Sequence, residues 1–400
     1  MTRVKRATCM AVVCAVATAA PMVRAQPLMV EFRSSVPLGT SAMDQYGAVF
    51  TVTGLSGIAY LGPGEVPGAH RALAVMDNSN RLVEYEFAID ATGMIVSVST
   101  VRGISVGESA DFEDLALVPG GGGLYLCDED GPGVRAVAWP GLTPLGALPI
   151  PAVFASRRAN FGFEALTISG DGRDLWTANE EALAVDGPLS TPAAGTVVRL
   201  LRLRDEGAGH VAVGQHAYAC EPMHGAVISG ARSGLVALVV LPSGRMLALE
   251  RSLAFSFGGL FRSRLFEIEA GGATDVSALA SLDGASYAPV MKGLLWSGNV
   301  NNLEGLCLGP ALGAGGRALI GVVDDGDPLS SNALVTLRIT GDIEAPCAAD
   351  FSGNGAADVP DIFIFLALWF ADDARADFDG SGARDVSDIF GFLAAWFAGC

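Results

Sequence analysis

Residues 160–180, NFGFEALTISGDGRDLWTANE, read as a strand, a glycine-rich turn and a second strand. Apolar and polar side chains alternate through Leu166, Thr167 and Ile168 and again from Leu175 to Ala178, the period of a half-buried strand. Between them Gly170, Asp171 and Gly172 supply turn chemistry. The same pattern returns at 111–129, DFEDLALVPGGGGLYLCDE, and at 302–310, NLEGLCLGP, followed by 317–325, RALIGVVDD. Weaker copies start at 55–60, LSGIAY, and span 235–251, LVALVVLPSGRMLALER. Copies recurring at roughly 50 to 70 residues, with no helical periodicity between 26 and 341, predict a mainly β fold. The expected architecture is a β-propeller of about six blades, followed by a small α-helical module. The segments 28–32, LMVEF, and 334–339, LVTLRI, are expected to pair and close the ring, hiding the exposed edges of the sheet.

The repeat carries acids at two fixed points. Glu113, Glu164 and Glu304 open the first strand. Asp77, Asp128 or Glu129, Glu180, Glu250, and Asp324 or Asp325 close the second. Carboxylates brought to one face repel one another unless a cation lies between them. A carboxylate at a strand end also serves to tie one blade to the next by accepting backbone N–H groups. Several in one register favour a site, and outside a cell calcium is the expected ion, because it takes many oxygen ligands. Arg157, Arg158, Arg251 and Lys292 are the cations available to hold a phosphate beside it. Arg251, Lys292, Glu113, Glu164 and Glu304 are the expected catalytic residues, with water activated by the metal as nucleophile.

In this order and spacing, LSGIAY at 55–60, Asp111-Phe112-Glu113, 160–166, Leu249 to Ser252, 302–306 and Asp324-Asp325 resemble the phytase-like family described as having esterase-like activity. The resemblance spans most of 50–340. It implies a propeller that hydrolyses phosphoesters with calcium. Asp114 and Ala165 stand where that pattern has glycine, and Gly326-Asp327 where it has an asparagine and an aromatic. The alternatives are a non-catalytic propeller that binds a ligand or surface polymer, and a lactonase- or esterase-type propeller. The chain has no Gly-x-Ser-x-Gly elbow, no His-Glu-x-x-His motif and no phosphate loop.

The end of the chain carries a duplicated calcium-loop pattern. Residues 350–361, DFSGNGAADVPD, and 377–388, DFDGSGARDVSD, have oxygen donors at loop positions 1, 3, 5, 9 and 12 and glycine at 6. The expected ligands are Asp350, Ser352, Asn354, the carbonyl of Ala356, Asp358 and Asp361, then Asp377, Asp379, Ser381, the carbonyl of Ala383, Asp385 and Asp388. A matching apolar run follows each loop. Phe363, Leu366 and Phe370, and likewise Phe390, Leu393 and Phe397, are expected to pack together, leaving Trp369 and Trp396 to face a partner. The duplication, with its Gly399-Cys400 ending, resembles a Gly-Cys-type dockerin in the manner of planctomycete-like anchored secreted proteins. It implies calcium of structural role and a cohesin-like or cell-surface receptor as partner.

Arg3, Lys5 and Arg6, the apolar run from Ala7 to Ala20 and Val23-Arg24-Ala25 read as a signal peptide over 1–25. The expected order is then a propeller domain over 26–341, a linker over 342–346 and the tail over 347–400, in a secreted, extracellular or surface-anchored protein. Without residues 1–25 the chain holds 21 basic against 43 acidic side chains, which disfavours nucleic acid and anionic membranes as partners. No stretch is long enough for a membrane span, and a phosphorylated small molecule is the expected substrate. Five cysteines remain. Cys347 and Cys400 bracket the tail and suit a disulfide, while Cys220 with Cys307 is a further option.

Overall fold

The computed structural model describes residues 26–400 apart from 208, 327–329, 346, 354, 355 and 400. The signal-peptide reading of 1–25 lies outside the described residues. The chain divides into two compact units, Pro27–Pro346 and Cys347–Cys400.

The first unit is a propeller of five four-stranded antiparallel sheets, not six. Blade I comprises Leu55–Pro63, Ala69–Met76, Ser79–Ile89 and Ile95–Ala110. Blade II comprises Phe112–Leu117, Gly122–Asp128, Gly133–Trp139 and Pro144–Ala147. Blade III comprises Phe163–Ile168, Asp174–Asn179, Val197–Asp205 and His210–Ala219. Blade IV comprises Arg232–Val240, Met246–Ser256, Gly259–Glu269 and Met291–Gly298. Blade V takes Leu303–Ala311, Arg317–Val323 and Ala333–Thr340 from the end of the domain, and Met29–Pro37 from its start.

That last strand closes the ring as expected, with Met29 opposite Thr340 and Pro37 opposite Ala333. The five copies recognised in the sequence each supply the inner hairpin of one blade. Dividing length by spacing overcounts, because a small two-stranded hairpin (Ser41–Met43 with Val49–Thr51) and long connections after Asn179 and Glu269 consume residues without adding a blade.

The inner strands of neighbouring blades touch in an unbroken circle, and blade V meets blade I. An apolar cluster fills each junction. Leu124, Leu126 and Phe112 meet Leu73, Val75 and Ile104 between blades II and I, and Val335 and Leu337 meet Leu247 and Leu249 between V and IV. Burial on both faces is why these strands read as nearly continuous apolar runs, and it is the main force holding the ring.

The second unit holds two short helices, α1 (Val359–Phe370) and α2 (Val386–Ala398). Each starts with a reciprocal capping box, Asp358 with Asp361 and Asp385 with Asp388. The expected stripes are displaced. Phe363, Phe370, Phe390 and Phe397 are exposed, and the core is made by Phe365 and Phe392, stacked at 4.1 Å. Trp369 and Trp396 do not face outward as free surfaces. Trp369 Nε1 donates to the Asp385 carbonyl and Trp396 Nε1 to the Asp358 carbonyl, so each indole ties its helix to the other loop.

Candidate functional site

The five inner hairpins share one register at one end of the ring. Leu55 lies opposite Met76, Phe112 opposite Asp128, Phe163 opposite Asn179, Leu235 opposite Glu250 and Leu303 opposite Val323. The next residue on each second strand is therefore Asp77, Glu129, Glu180, Arg251 and Asp324. On the inner strands the residue after the pair is Ser56, Glu113, Glu164, Val236 and Glu304. Every hairpin breaks its ladder at this point, and such irregularities re-aim side chains. Two rings of functional groups result.

Close approach of the backbones fixes these rings. A Cβ on Gly162 would come within 2.3 Å of the Glu129 carbonyl oxygen, and one on Gly234 within 2.6 Å of that of Glu180. Only glycine lets the next inner strand pass so near. The Gly162 N–H then donates to Glu129 Oε1 at 3.1 Å, and Leu235 N–H to the Glu180 carbonyl at 3.0 Å.

Of the expected residues, Glu113, Glu164, Glu304 and Arg251 converge here and are buried. Arg251 takes the ring position that is acidic in the other four blades. Its Nη2 lies 2.7 Å from Glu180 Oε1, its Nη1 lies 2.8 Å from Asn302 Oδ1, and it pairs with the Glu304 carboxylate. Glu250 is one residue out of register and lies on the opposite face. There it binds Lys292 at 2.7 Å and the Tyr218 hydroxyl at 2.7 Å. Lys292 also reaches Glu221 at 3.0 Å and lies over Phe266, so it is placed behind the ring. Arg157 is bound to Asp130, and Arg158 to the carbonyls of Ala182 and Gly187.

The other side of the ring is acidic. One carboxylate oxygen each from Asp111, Glu113 and Glu129 lies within 4.8 Å of the others. Burial pushes Glu113 well above the usual carboxylate range, and the charges of Glu164, Glu129 and Asp111 add to it. Burial likewise raises Glu129 to about 8, against the Gly162 N–H, with Glu180 and Asp111 pushing the same way. Asp77 is raised to about 6 by burial and then by Asp324. Asp324 Oδ2 accepts from Asn302 Nδ2 at 2.8 Å, while its buried Oδ1 has no partner among the described residues.

The Asp111, Glu113 and Glu129 carboxyls form an oxygen-only donor set that fits a hard divalent cation, and Asp324 offers an orphaned carboxylate oxygen at the ring position of blade V. Asp111 was not singled out as a ligand in the sequence, although it lies two residues before Glu113 on the same strand face. Arg232 was missed as well. It is one-third exposed, lies 3.5 Å from Glu180, and its charge acts on Glu164 and Glu129. Asp114, the departure from glycine, is buried and accepts the N–H groups of Leu115 and Leu166, stitching blade II to blade III.

Residues 51–327 match the phytase-like family described as "Esterase-like activity of phytase", and the chain belongs to that family. No curated protein matches the chain. Among solved structures, the chain is similar to the Kuenenia stuttgartiensis hydrazine synthase at 11% identity and a TM-score of 0.30, covering 70% of this chain and 65% of that one. It is similar to the catalytic domain of the Coprinopsis cinerea GH62 α-L-arabinofuranosidase at 12% identity and a TM-score of 0.38, covering 78% and 98%. It is similar to a hypothetical protein from Leishmania major at 11% identity and a TM-score of 0.35, covering 79% and 96%.

In the second unit, Asp377, Asp379 and Asp388 bring carboxylate oxygens within 4.8 Å of one another. Asp388 accepts the N–H groups of Phe378, Asp379 and Asp385, and Asp361 those of Ser352 and Asp358, so both closing aspartates organise their loops. The Ser352 hydroxyl donates to Asp350 and the Ser381 hydroxyl to the Ala383 carbonyl. Asn354 lies outside the described residues, as does Cys400, on which the expected pairing with Cys347 depends. Cys220 and Cys307 are free thiols and do not pair. No helix among the described residues is long and apolar enough to cross a membrane.

Proposed function

We propose that the propeller is a calcium-assisted phosphoester hydrolase. The observation that carries this reading is the buried Asp111–Glu113–Glu129 cluster, set across the ring from Arg251. These three carboxylates would hold the ion, with Asp324 alongside. When bound, calcium supplies Lewis-acid activation and neutralises charge on the phosphoryl group. The chain's own residues supply the rest. Arg251 holds Glu180 and Glu304 in fixed positions, and the partly exposed Arg232 offers a guanidinium to an anionic substrate at the same rim. The raised carboxyl of Glu164 keeps a proton available where a leaving oxygen needs one.

The same proposal covers the whole chain. The protein is exported, and its second unit acts as a dockerin-like anchor whose calcium is structural. The converging oxygens of Asp377, Asp379 and Asp388 support that reading.

Turnover of phosphomonoesters, phosphodiesters and carboxylic esters, before and after chelation, tests the enzymatic reading. Phosphoester turnover lost on chelation and restored by calcium is the expected result. Turnover of carboxylic esters alone would move the reading to an esterase or lactonase. No turnover by a folded protein would leave a binding propeller.

A further inference from the structure

The cavity between blades I and II lies apart from the acidic ring and has a different chemistry. Its volume is about 820 Å³, within the range of small-molecule sites. Ile104, Phe112, Leu126, Val137 and Trp139 form an apolar wall, and all but Trp139 are buried. Phe112 lines the cavity, whereas its neighbours Asp111 and Glu113 do not. Although the chain carries 43 acidic side chains, none is among the described residues lining this cavity. Its charged lining residues are Arg102 and Arg135.

Both guanidiniums are held in place from outside the cavity. Arg102 Nε lies 2.7 Å from Glu84 Oε2, and the Arg102 side chain remains 48% exposed. Arg135 Nη2 lies 2.6 Å from Asp128 Oδ2, its guanidinium stacks over Phe112 at 5.4 Å, and it remains 36% exposed. The mouth is preformed. Gln45 and the Ser105 backbone exchange two hydrogen bonds of 2.9 Å, which pin the loop carrying the exposed Tyr46 across the opening.

We propose that this cavity binds an amphipathic monocarboxylate, with its apolar body against Trp139 and Phe112 and its anionic group between Arg102 and Arg135. Among the described residues the charges lining this apolar chamber are two oriented guanidiniums, which recognise one negative end on an otherwise greasy molecule. A neutral ligand of the same shape forfeits that contact.

The test is a fluorescence titration of the full chain with 1-anilinonaphthalene-8-sulfonate, followed by displacement with decanoate or decanol. The expected result is saturable binding, with decanoate displacing about tenfold better than decanol, equivalent to one charge-assisted contact. Ala147→Trp, an exposed position on the cavity lining, should block binding with little strain on the fold. Arg102→Gln should weaken decanoate about fivefold and leave decanol unchanged. Equal displacement by acid and alcohol, or probe binding unchanged in Ala147→Trp, would overturn the proposal.

Discussion

Arg251 and Glu180 form a buried ion pair of 2.7 Å that joins blade IV to blade III, with the other arm of the guanidinium on Asn302 of blade V. One cation thus stands in a register that is otherwise acidic, and it divides the ring into a bridged half and a half in which carboxyls crowd one another. The bridged half is a fixed scaffold, and the crowded half has donors to spare for a cation.

Removing that cation should be costly. Arg251→Met leaves Glu304 buried without its guanidinium partner and Glu180 with only the more distant Arg232, and a broken buried pair costs on the order of 3–5 kcal/mol. Urea unfolding should show that loss, and Arg251→Met with Glu180→Gln should recover part of it. A single variant within about 0.5 kcal/mol of the parent would refute the scaffold role of Arg251.

The pH dependence has a definite sign at Glu181. Burial raises its carboxyl to about 7, opposed by the Ser190 N–H and reinforced by Glu180. A folded-state value above the ordinary 4.5 means that the folded chain binds this proton more tightly than the unfolded chain does. Its stabilising contribution is complete below about 4.5 and is lost as pH rises through 7. Glu181→Gln should therefore match the parent at pH 4.5 and exceed it by on the order of 2 kcal/mol at pH 8. Unfolding curves at the two pH values check this, and an equal offset at both would contradict the assignment.

The second unit depends on a few aromatic rings. Phe365 and Phe392 stack at 4.1 Å with an interplanar angle of 4°, edged by Phe351 and Phe378. Phe365→Ala should cost roughly 3–5 kcal/mol, more than so small a core can spare. Limited proteolysis should then cut within 347–400 and spare 27–346. Resistance of both segments would show that the stack is dispensable.

Much of the propeller was legible because each inner hairpin carries strand alternation on both sides of a glycine turn, as at 160–180. The closing strand was legible from two apolar ends with nothing else to pair with. Register was harder to read. Asp128 and Glu129, or Glu250 and Arg251, differ by one residue, and a one-residue slip turns a side chain to the other face. The ladder irregularity that settles the choice involves Leu235 and Ala237, which carry no polar mark. The tail stripes failed for a related reason. In 362–370, IFIFLALWF, every position is apolar, so a helical stripe can be drawn through Phe363 as easily as through Phe365. Blade number does not follow from length over spacing, because connections of uneven length separate the five hairpins.

In the proposed function the propeller itself holds calcium. Calorimetric titration of the full chain with calcium, parent against Asp111→Asn with Glu113→Gln, tests it most directly. The double variant should bind one calcium fewer. In chelator it should also unfold no earlier than the parent, because two crowded carboxylates have become neutral. An unchanged number of bound ions would place all the calcium in the second unit and contradict the account.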